Sequence, residues 1–478
     1  MDPGAGREDG AAAEGGSLSG REIIVVGAGV SGLNAASALV KAGERVTLLE
    51  RREFVGGRAY SYKHPALEET VDSQHVLLGC CTNLIDFCHD AGLDGKIRWY
   101  DEQTFLEPGG RASTIALSGL PAPLHYAASF AKASMLTLAD KASIARGLLG
   151  FARGNHEPDA GSIADWYKRT GQTAGAIRHF WEPIVLATLN DSSDNCSMKY
   201  GGKVFYELFL KTAYGGKLGI PTVPLSEFYG AGVARIEAQG GRVELGTSVE
   251  GLTQGPDGRW VIAAGAKTFV ADDVVLALPF EQTTKLVRGM SLQGGEEVRT
   301  ELLETMGRFV HAPFISILLW YDREITTLDH AWLLDTTIQW FFHKSRIRGT
   351  GGGSYVELVI AGSKTELPMS RAEILEPALV ELARFFPGVR EAKLLKSGIL
   401  KEARATFSVT PGLDAVRPGQ RTGLDGFYLA GDWTATDWPS TMEGAARSGR
   451  LAAGEVVGER DRFLMAEPDA EGFMRLFA

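Results

Sequence analysis

The sequence predicts an α/β fold in two parts. One is a domain on a parallel sheet, discontinuous in the chain; the other is an α+β domain with an antiparallel sheet and helical insertions. Three observations predict it. The apolar run Ile23-Ile24-Val25-Val26 enters Gly27-Ala28-Gly29-Val30-Ser31-Gly32, and a second run, Val46-Thr47-Leu48-Leu49, ends at Glu50. Further buried-strand patterns, Asp273-Val-Val-Leu-Ala-Leu-Pro279 and Gly426-Phe-Tyr-Leu-Ala-Gly-Asp432, return far downstream. Between them, strand patterns cluster over 314–361 without interposed helices.

Residues 1–20, rich in Gly and Ala with scattered acids, read as a disordered tail; they lack the cationic start and apolar core of a signal peptide. The unit over 20–72 has the order strand, glycine turn, helix, strand, acid, which holds a dinucleotide. Gly27 permits the tight turn, Gly29 admits the pyrophosphate, and Gly32 lets helix pack on strand. Val30 and Ser31 open that helix, whose N–H groups and dipole favour phosphate, and Glu50 stands at the offset of a ribose ligand. Arg51 and then Gly56-Gly57-Arg58 follow. A second glycine pair with a cation suits the longer reach of FAD better than NAD, so the domain reads as FAD-binding and Rossmann-like.

Residues 73–213 read mostly as helix. Thr137-Leu-Ala-Asp140 resembles a capping box with Asp in place of Glu. Leu117 to Phe130, apolar and carrying Pro121 and Pro123, reads either as a core-facing irregular segment or as an entrance lip on lipid. Strands return over 214–280, with alternation from Gly241 to Glu250, and continue as Phe314 to Trp320, Ala331 to Leu334, Thr337 to Phe342 and Tyr355 to Ile360. Residues 370–386 read as helix. After Asp432, Trp433 to Thr441 is a loop and Met442 starts a helix. The expected division is 21–72, 214–285 and 400–460 for the FAD-binding domain, with 73–213 and 286–399 for the substrate domain.

At 478 residues the chain can bury two substantial cores, and 44% hydrophobic with 23% charged residues is ordinary globular composition. A net charge of −10 without a basic block argues against nucleic acid. Cys80, Cys81, Cys88 and Cys196 form neither CxxC nor zinc spacing, so no metal is expected, the setting reads as reducing and cytoplasmic, and Cys80-Cys81 reads as packing. No apolar run reaches the ~18 residues of a membrane span. No second glycine fingerprint offers an NAD(P)H domain, so the sequence names no electron donor.

Together these residues resemble the flavin amine oxidase and carotenoid desaturase superfamily over about 21–460. The resemblance implies FAD, with Gly27, Gly29 and Gly32 at the pyrophosphate, Glu50 and Arg51 at the adenosine ribose, and Gly57 and Arg58 near the pyrophosphate. It puts the Val249 backbone at adenine, Gly431-Asp432 in the flavin signature, and Met442 at the helix start beneath the flavin ring, where the positive helix end favours the charge of reduced flavin. A narrower similarity is to the hydroxysqualene dehydroxylases (squalene-associated FAD-dependent desaturases). It rests on Asp72-Ser-Gln-His75-Val-Leu-Leu-Gly79, Leu120-Pro-Ala-Pro-Leu-His125, Gln339-Trp-Phe-Phe342, Gly431-Asp-Trp-Thr434, Trp438-Pro and Thr441-Met-Glu-Gly-Ala445. That family implies reductive conversion of hydroxysqualene to squalene in bacterial squalene and hopanoid synthesis. Alternatives are a phytoene-type carotenoid desaturase, a flavin amine oxidase, or a non-catalytic prenyl-binding escort. Thr441 stands where amine oxidases carry an aromatic residue, and no cysteine follows Cys196 to tether flavin covalently, so FAD is expected to bind non-covalently.

For such a reaction His75 is the expected acid or hydroxyl-orienting group, supported by Gln74 and Asp72, with Asp437 as another candidate acid. Trp438, Thr441 and Trp433 are expected at the substrate pocket. A C30 isoprenoid substrate would be collected from a membrane surface or an upstream enzyme of the pathway, which would place the protein peripherally on the inner face of the plasma membrane. The candidate contact surfaces, 117–130 and Phe473 to Phe477, read equally as a buried loop and a frayed terminus.

Overall fold

The apolar run at Glu22–Val26 forms the central strand of a five-stranded sheet in a computed structural model that describes residues 20–152 and 158–477. The expected tail over 1–19 lies outside the described residues. The strand order is Arg242–Glu244, Arg45–Leu49, Glu22–Val26, Asp273–Leu276, Phe427–Leu429, and every pairing is parallel. Strands buried on both faces carry near-continuous β-branched runs, and the central strand divides its side chains between two cores. Ile23 and Val25 pack with helices Val30–Lys41 and Met442–Val457, whereas Ile24 and Val26 face the remainder of the molecule. Gly449 allows the two helices to touch, since a Cβ there would lie 2.0 Å from the Ser31 carbonyl oxygen.

The second large sheet has seven strands, in the order Leu394–Phe407, His311–Tyr321, Ser354–Ala361, Trp340–His343, His330–Leu333, Glu102–Leu106, Ala112–Ala116. Its pairings are antiparallel except where His330–Leu333 runs parallel to Glu102–Leu106. Helix Arg371–Phe385 covers one face through Ile374, Ala378 and Leu382. The capping box at Thr137 is present, with both reciprocal bonds to Asp140.

Several boundaries differ from the sequence reading. Residues 73–213 are mostly helical only in their later part; before it, helix Thr82–Asp90 lies among strands Leu77–Leu78, Ile97–Tyr100, Glu102–Leu106 and Ala112–Ala116. The division at 400 falls inside strand Leu394–Phe407, an edge strand whose exposed charged residues hide its periodicity. The alternating stretch from Gly241 yields only Arg242–Glu244 as strand. The expected Thr337–Phe342 strand begins at Trp340.

Candidate functional site

Both sheets open onto one cavity of about 1000 Å³, lined at one end by the glycine turn and at the other by aromatic side chains. At the glycine end, Gly27 has φ +102°, and a Cβ there would meet the Ala277 carbonyl at 2.6 Å. A Cβ on Gly32 would fall 1.8 Å from the Gly27 carbonyl, so helix and strand close only on a bare glycine. Gly29 forms a bridge with Gly56, and a Cβ on Gly57 would lie 2.9 Å from the Gly29 Cα. The two glycine pairs therefore make one floor. Helix Val30–Lys41 starts on it without a side-chain cap, and Val30 and Ser31 line the cavity. Uncapped N–H groups and a floor without side chains fit a pyrophosphate.

Glu50, Arg51 and Val249 also line this end. The Glu50 carboxylate accepts the backbone N–H groups of Ala28 and Arg52, each at 2.9 Å, which fixes it against the turn with lone pairs to spare for a ribose hydroxyl. Arg58 pairs with Asp432, and Ser440 donates to the other oxygen of that carboxylate, so the early and late halves of the signature are joined directly. Gly431 (φ +140°) donates its N–H to Ser448 Oγ at 2.8 Å. Thr441 caps helix Met442–Val457, accepting the Gly444 N–H at 3.0 Å, and Met442 lines the cavity with its sulfur 3.0 Å from the Tyr229 hydroxyl. Thr441 also lines the cavity, so the position aromatic in amine oxidases here serves as a helix cap.

His75 and Gln74 line the cavity where these halves meet. His75 Nδ1 lies 2.9 Å from the Ser73 carbonyl oxygen, which can only accept, so Nδ1 carries the hydrogen. Burial pulls the imidazole below its ordinary pKa, and the Ser73 bond and the Glu357 and Asp72 carboxylates offset this only in part. A neutral ring with Nδ1–H leaves Nε2 as a lone-pair acceptor. Of the two expected roles, this arrangement suits His75 to orient a hydroxyl.

Asp72 does not reach the cavity. Its carboxylate is bonded by Lys344 and, at 2.7 and 2.8 Å, by Arg348, and it accepts the Leu225 N–H at 3.2 Å. Burial would raise it, but the two cations override burial and hold it at about 2. Lys344, with no exposed side-chain surface, also bonds Glu357 at 2.6 Å, and Glu357 accepts the Gln74 N–H at 2.9 Å and the Ser316 hydroxyl at 2.6 Å. The role of Asp72 is to clamp the 72–75 turn from behind.

Trp438 lines the cavity with the Lys203 ammonium 5.0 Å from its ring centroid. Trp433 does not line it. Its ring packs on Phe309 and its N–H donates to the Leu278 carbonyl at 2.9 Å, because Gly431 turns the chain so that this side chain points into the core. Asp437 is tied to Lys203 and Lys199. Cys80 is buried; the neighbouring Cys81 and burial keep its thiol far above the ordinary range. The terminal segment is docked and not frayed: Met474 is buried, and the Phe473 N–H donates to the Ala122 carbonyl at 2.8 Å, joining 473–477 to the 120–124 loop.

Residues outside the sequence reading hold this site. Arg417 is fully buried and donates to the backbone of Asp432, Thr434 and Trp438, gathering the loop before Met442. It sits beside Pro418-Gly419 in an ordinary-looking turn, with no motif to mark it. Lys344, Arg348 and Glu357 likewise belong to no local pattern; their partners lie 13 to 283 residues away.

A family model described as flavin containing amine oxidoreductase matches residues 30–457. The chain is 26% identical over 465 residues to the 15-cis-phytoene desaturase of Solanum lycopersicum, covering 91% of this chain and 77% of that protein. It is 24% identical to the zeta-carotene desaturase of Zea mays, covering 93% and 84%. Among solved structures, an oxidoreductase from Methanosarcina mazei superposes with a TM-score of 0.70 at 19% identity, covering 91% and 100%. A putrescine oxidase bound to putrescine gives 0.70 at 16% identity, covering 92% and 99%, a likeness of fold.

Proposed function

Because the chain belongs to the flavin containing amine oxidoreductase family and so is an FAD-binding oxidoreductase, we propose that it reduces an isoprenoid alcohol, hydroxysqualene, to squalene. The observation that carries this reading is His75, its Nδ1–H spent on the Ser73 carbonyl and its Nε2 left as an acceptor, in the wall of a cavity that also carries Phe105, Trp332, Trp340 and Phe342. The glycine floor, Glu50, Arg51, Val249, the Arg58–Asp432 pair and the Met442 helix start would hold FAD; Cys81 also lines this cavity. FAD supplies two-electron hydride chemistry when reduced.

In the net reaction the allylic C–O bond breaks, a C–H bond forms, and the hydroxyl leaves as water after gaining a proton. His75 Nε2 accepts the hydrogen bond of the substrate hydroxyl and sets its orientation. The faces of Trp332, Trp340 and Phe342 exclude water and stabilise developing positive charge on the allyl carbons. Three carboxyls in the cavity wall, Glu207, Glu402 and Glu443, are pushed up by burial; Glu443 is engaged by Asn83 and Leu84 and Glu207 by Lys211, so Glu402 is the candidate proton donor. Tyr126 lines the cavity, and in the 120–124 loop before it and the 473–477 segment bonded to that loop Leu120, Leu124, Phe473, Leu476 and Phe477 are exposed. These exposed apolar side chains are the proposed membrane contact through which the C30 substrate is collected; no helix among the described residues is long and apolar enough to cross a membrane.

A second reading, oxidative desaturation, is favoured by the names of the relatives, phytoene and zeta-carotene desaturases, and would use His75 Nε2 as a base. Anaerobic incubation of reduced holoenzyme with hydroxysqualene, against oxidised holoenzyme with phytoene, separates the two by product.

A further inference from the structure

Helix Leu138–Gly150 is amphipathic with its sense reversed. Leu138, Ala142, Ala145 and Leu149 recur at the spacing that lines one face of a helix, the pattern of a core-facing stripe. The fold turns that stripe outward: Leu138 is 84% exposed, Leu149 is 68% exposed, and both alanines are exposed. The inward face carries Asp140, Ser143, Ile144 and Gly147. The helix cannot be rolled over. A Cβ on Gly147 would lie 2.8 Å from the Trp166 ring and 2.9 Å from that of Trp181, and the Asp140 carboxylate accepts from Thr137 and Thr173. A single exposed leucine needs no explanation, whereas an apolar face fixed outward does.

Charge and position identify what covers this face. In a chain of net charge −10, residues 127–150 hold one carboxylate, the buried Asp140, and three cations, Lys132, Lys141 and Arg146. Lys132 and Arg146 are exposed, and the Lys141 ammonium donates to the Ala131 carbonyl at 2.7 Å, which joins the first turn of this helix to the end of helix Ala127–Lys132. Both helices converge on Phe180 in the cavity wall. Phe130 packs edge-on against its ring at 5.9 Å, and Trp181, the ring beneath Gly147, does so at 4.9 Å. The two helices thus stand outside the apolar end of the cavity and present apolar side chains among cations. A second copy meeting this face about a two-fold axis would bring the cations onto their own images. Acyl chains and anionic headgroups match both parts.

We infer that helix Leu138–Gly150 is a membrane anchor selective for anionic phospholipid: Leu138 and Leu149 enter the acyl region while Lys132 and Arg146 lie at the headgroups. This rests on the reading above in which substrate is collected from a membrane, and deepens it by naming the anchoring element and the lipid class.

The test mixes holoenzyme with vesicles of phosphatidylcholine alone, or of phosphatidylcholine and phosphatidylglycerol in equal parts, and measures the bound fraction by flotation. The wild type is expected on the anionic vesicles. Leu138→Gln/Leu149→Gln is expected to bind them at least roughly tenfold more weakly, and Lys132→Gln roughly fivefold more weakly, each with flavin content and thermal unfolding unchanged. Equal wild-type binding to both vesicles overturns the lipid selectivity, and wild-type binding by the double variant overturns the helix as anchor. So does a wild type that floats with neither vesicle, or a concentration-dependent dimer that the double variant abolishes, which gives the face to a second copy. Turnover of hydroxysqualene dispersed in detergent, where the double variant is expected to match the wild type, separates anchoring from catalysis. If binding follows this helix but reduced wild type forms no squalene in detergent, the anchor stands and the dehydroxylation reading fails.

Discussion

Lys344 is enclosed between two carboxylates, Asp72 and Glu357, with no exposed side-chain surface. Breaking such a cluster costs far more than forming it returns, because the survivors are left charged in low dielectric. Lys344→Met is therefore expected to lower unfolding free energy by about 3–5 kcal/mol in denaturant titrations. The cluster also fixes a pH window. Asp72 is held at about 2 against an ordinary 3.8, so its contribution is fully present above 3.8 and is lost as pH falls through 2. Lys344 is raised above 10.5 by its carboxylates, against burial, so its contribution is present below 10.5 and lost as pH rises past its raised value. His75 has the opposite sense from Lys344. Burial depresses it below 6.5, so the neutral acceptor persists at pH 7 and is lost only on acidification. The acid limb of kcat/KM is expected below pH 6.5. His75→Gln should remove that limb, slow turnover and leave the flavin content intact; wild-type turnover would take His75 out of the mechanism.

At the scale of elements, two helices meet at the bare Gly449 to build the FAD-binding end. Gly449→Ala would place a Cβ 2.0 Å from the Ser31 carbonyl, forcing helix Met442–Val457 away from helix Val30–Lys41. The expected outcome is a flavin-to-protein ratio well below one in protein purified without added FAD. A full flavin complement would contradict the close approach as a requirement. Thr441→Ala removes the cap of the same helix and should cost about 1 kcal/mol of stability. These elements were legible in the sequence because each carries a local signature: a β-branched run, glycines at fixed offsets, a capping threonine. The strands over 97–116 and 394–407 were not, since they are half-exposed and carry charged or polar side chains at positions where alternation is read. Sheet pairing, not pattern, makes them strands.

At the scale of the whole molecule, the site is one cavity shared by a parallel sheet and an antiparallel one, and the two were legible to different degrees. At the FAD-binding end the glycine spacing pointed to Gly27, Gly29, Glu50 and Arg58 and the family resemblance to Val249, Asp432 and Met442, and all of them line the cavity. The chamber end depends on long-range contacts. Asp72 was grouped with His75 by adjacency, yet chain alternation turns it outward to Lys344 and Arg348, while Trp433 turns into the core. Arg417, Lys344 and Glu357 carry no local pattern, and each has a partner more than 200 residues away, Tyr200, Asp72 and Gln74. Glu50→Gln should weaken FAD retention in dialysis, and unchanged retention would count against the ribose contact. The most direct test of the account is a single-turnover experiment with photoreduced holoenzyme and hydroxysqualene under anaerobic conditions. The account predicts one squalene formed for each flavin reoxidised; persistence of the reduced spectrum without squalene, alongside phytoene turnover by the oxidised enzyme, would contradict it.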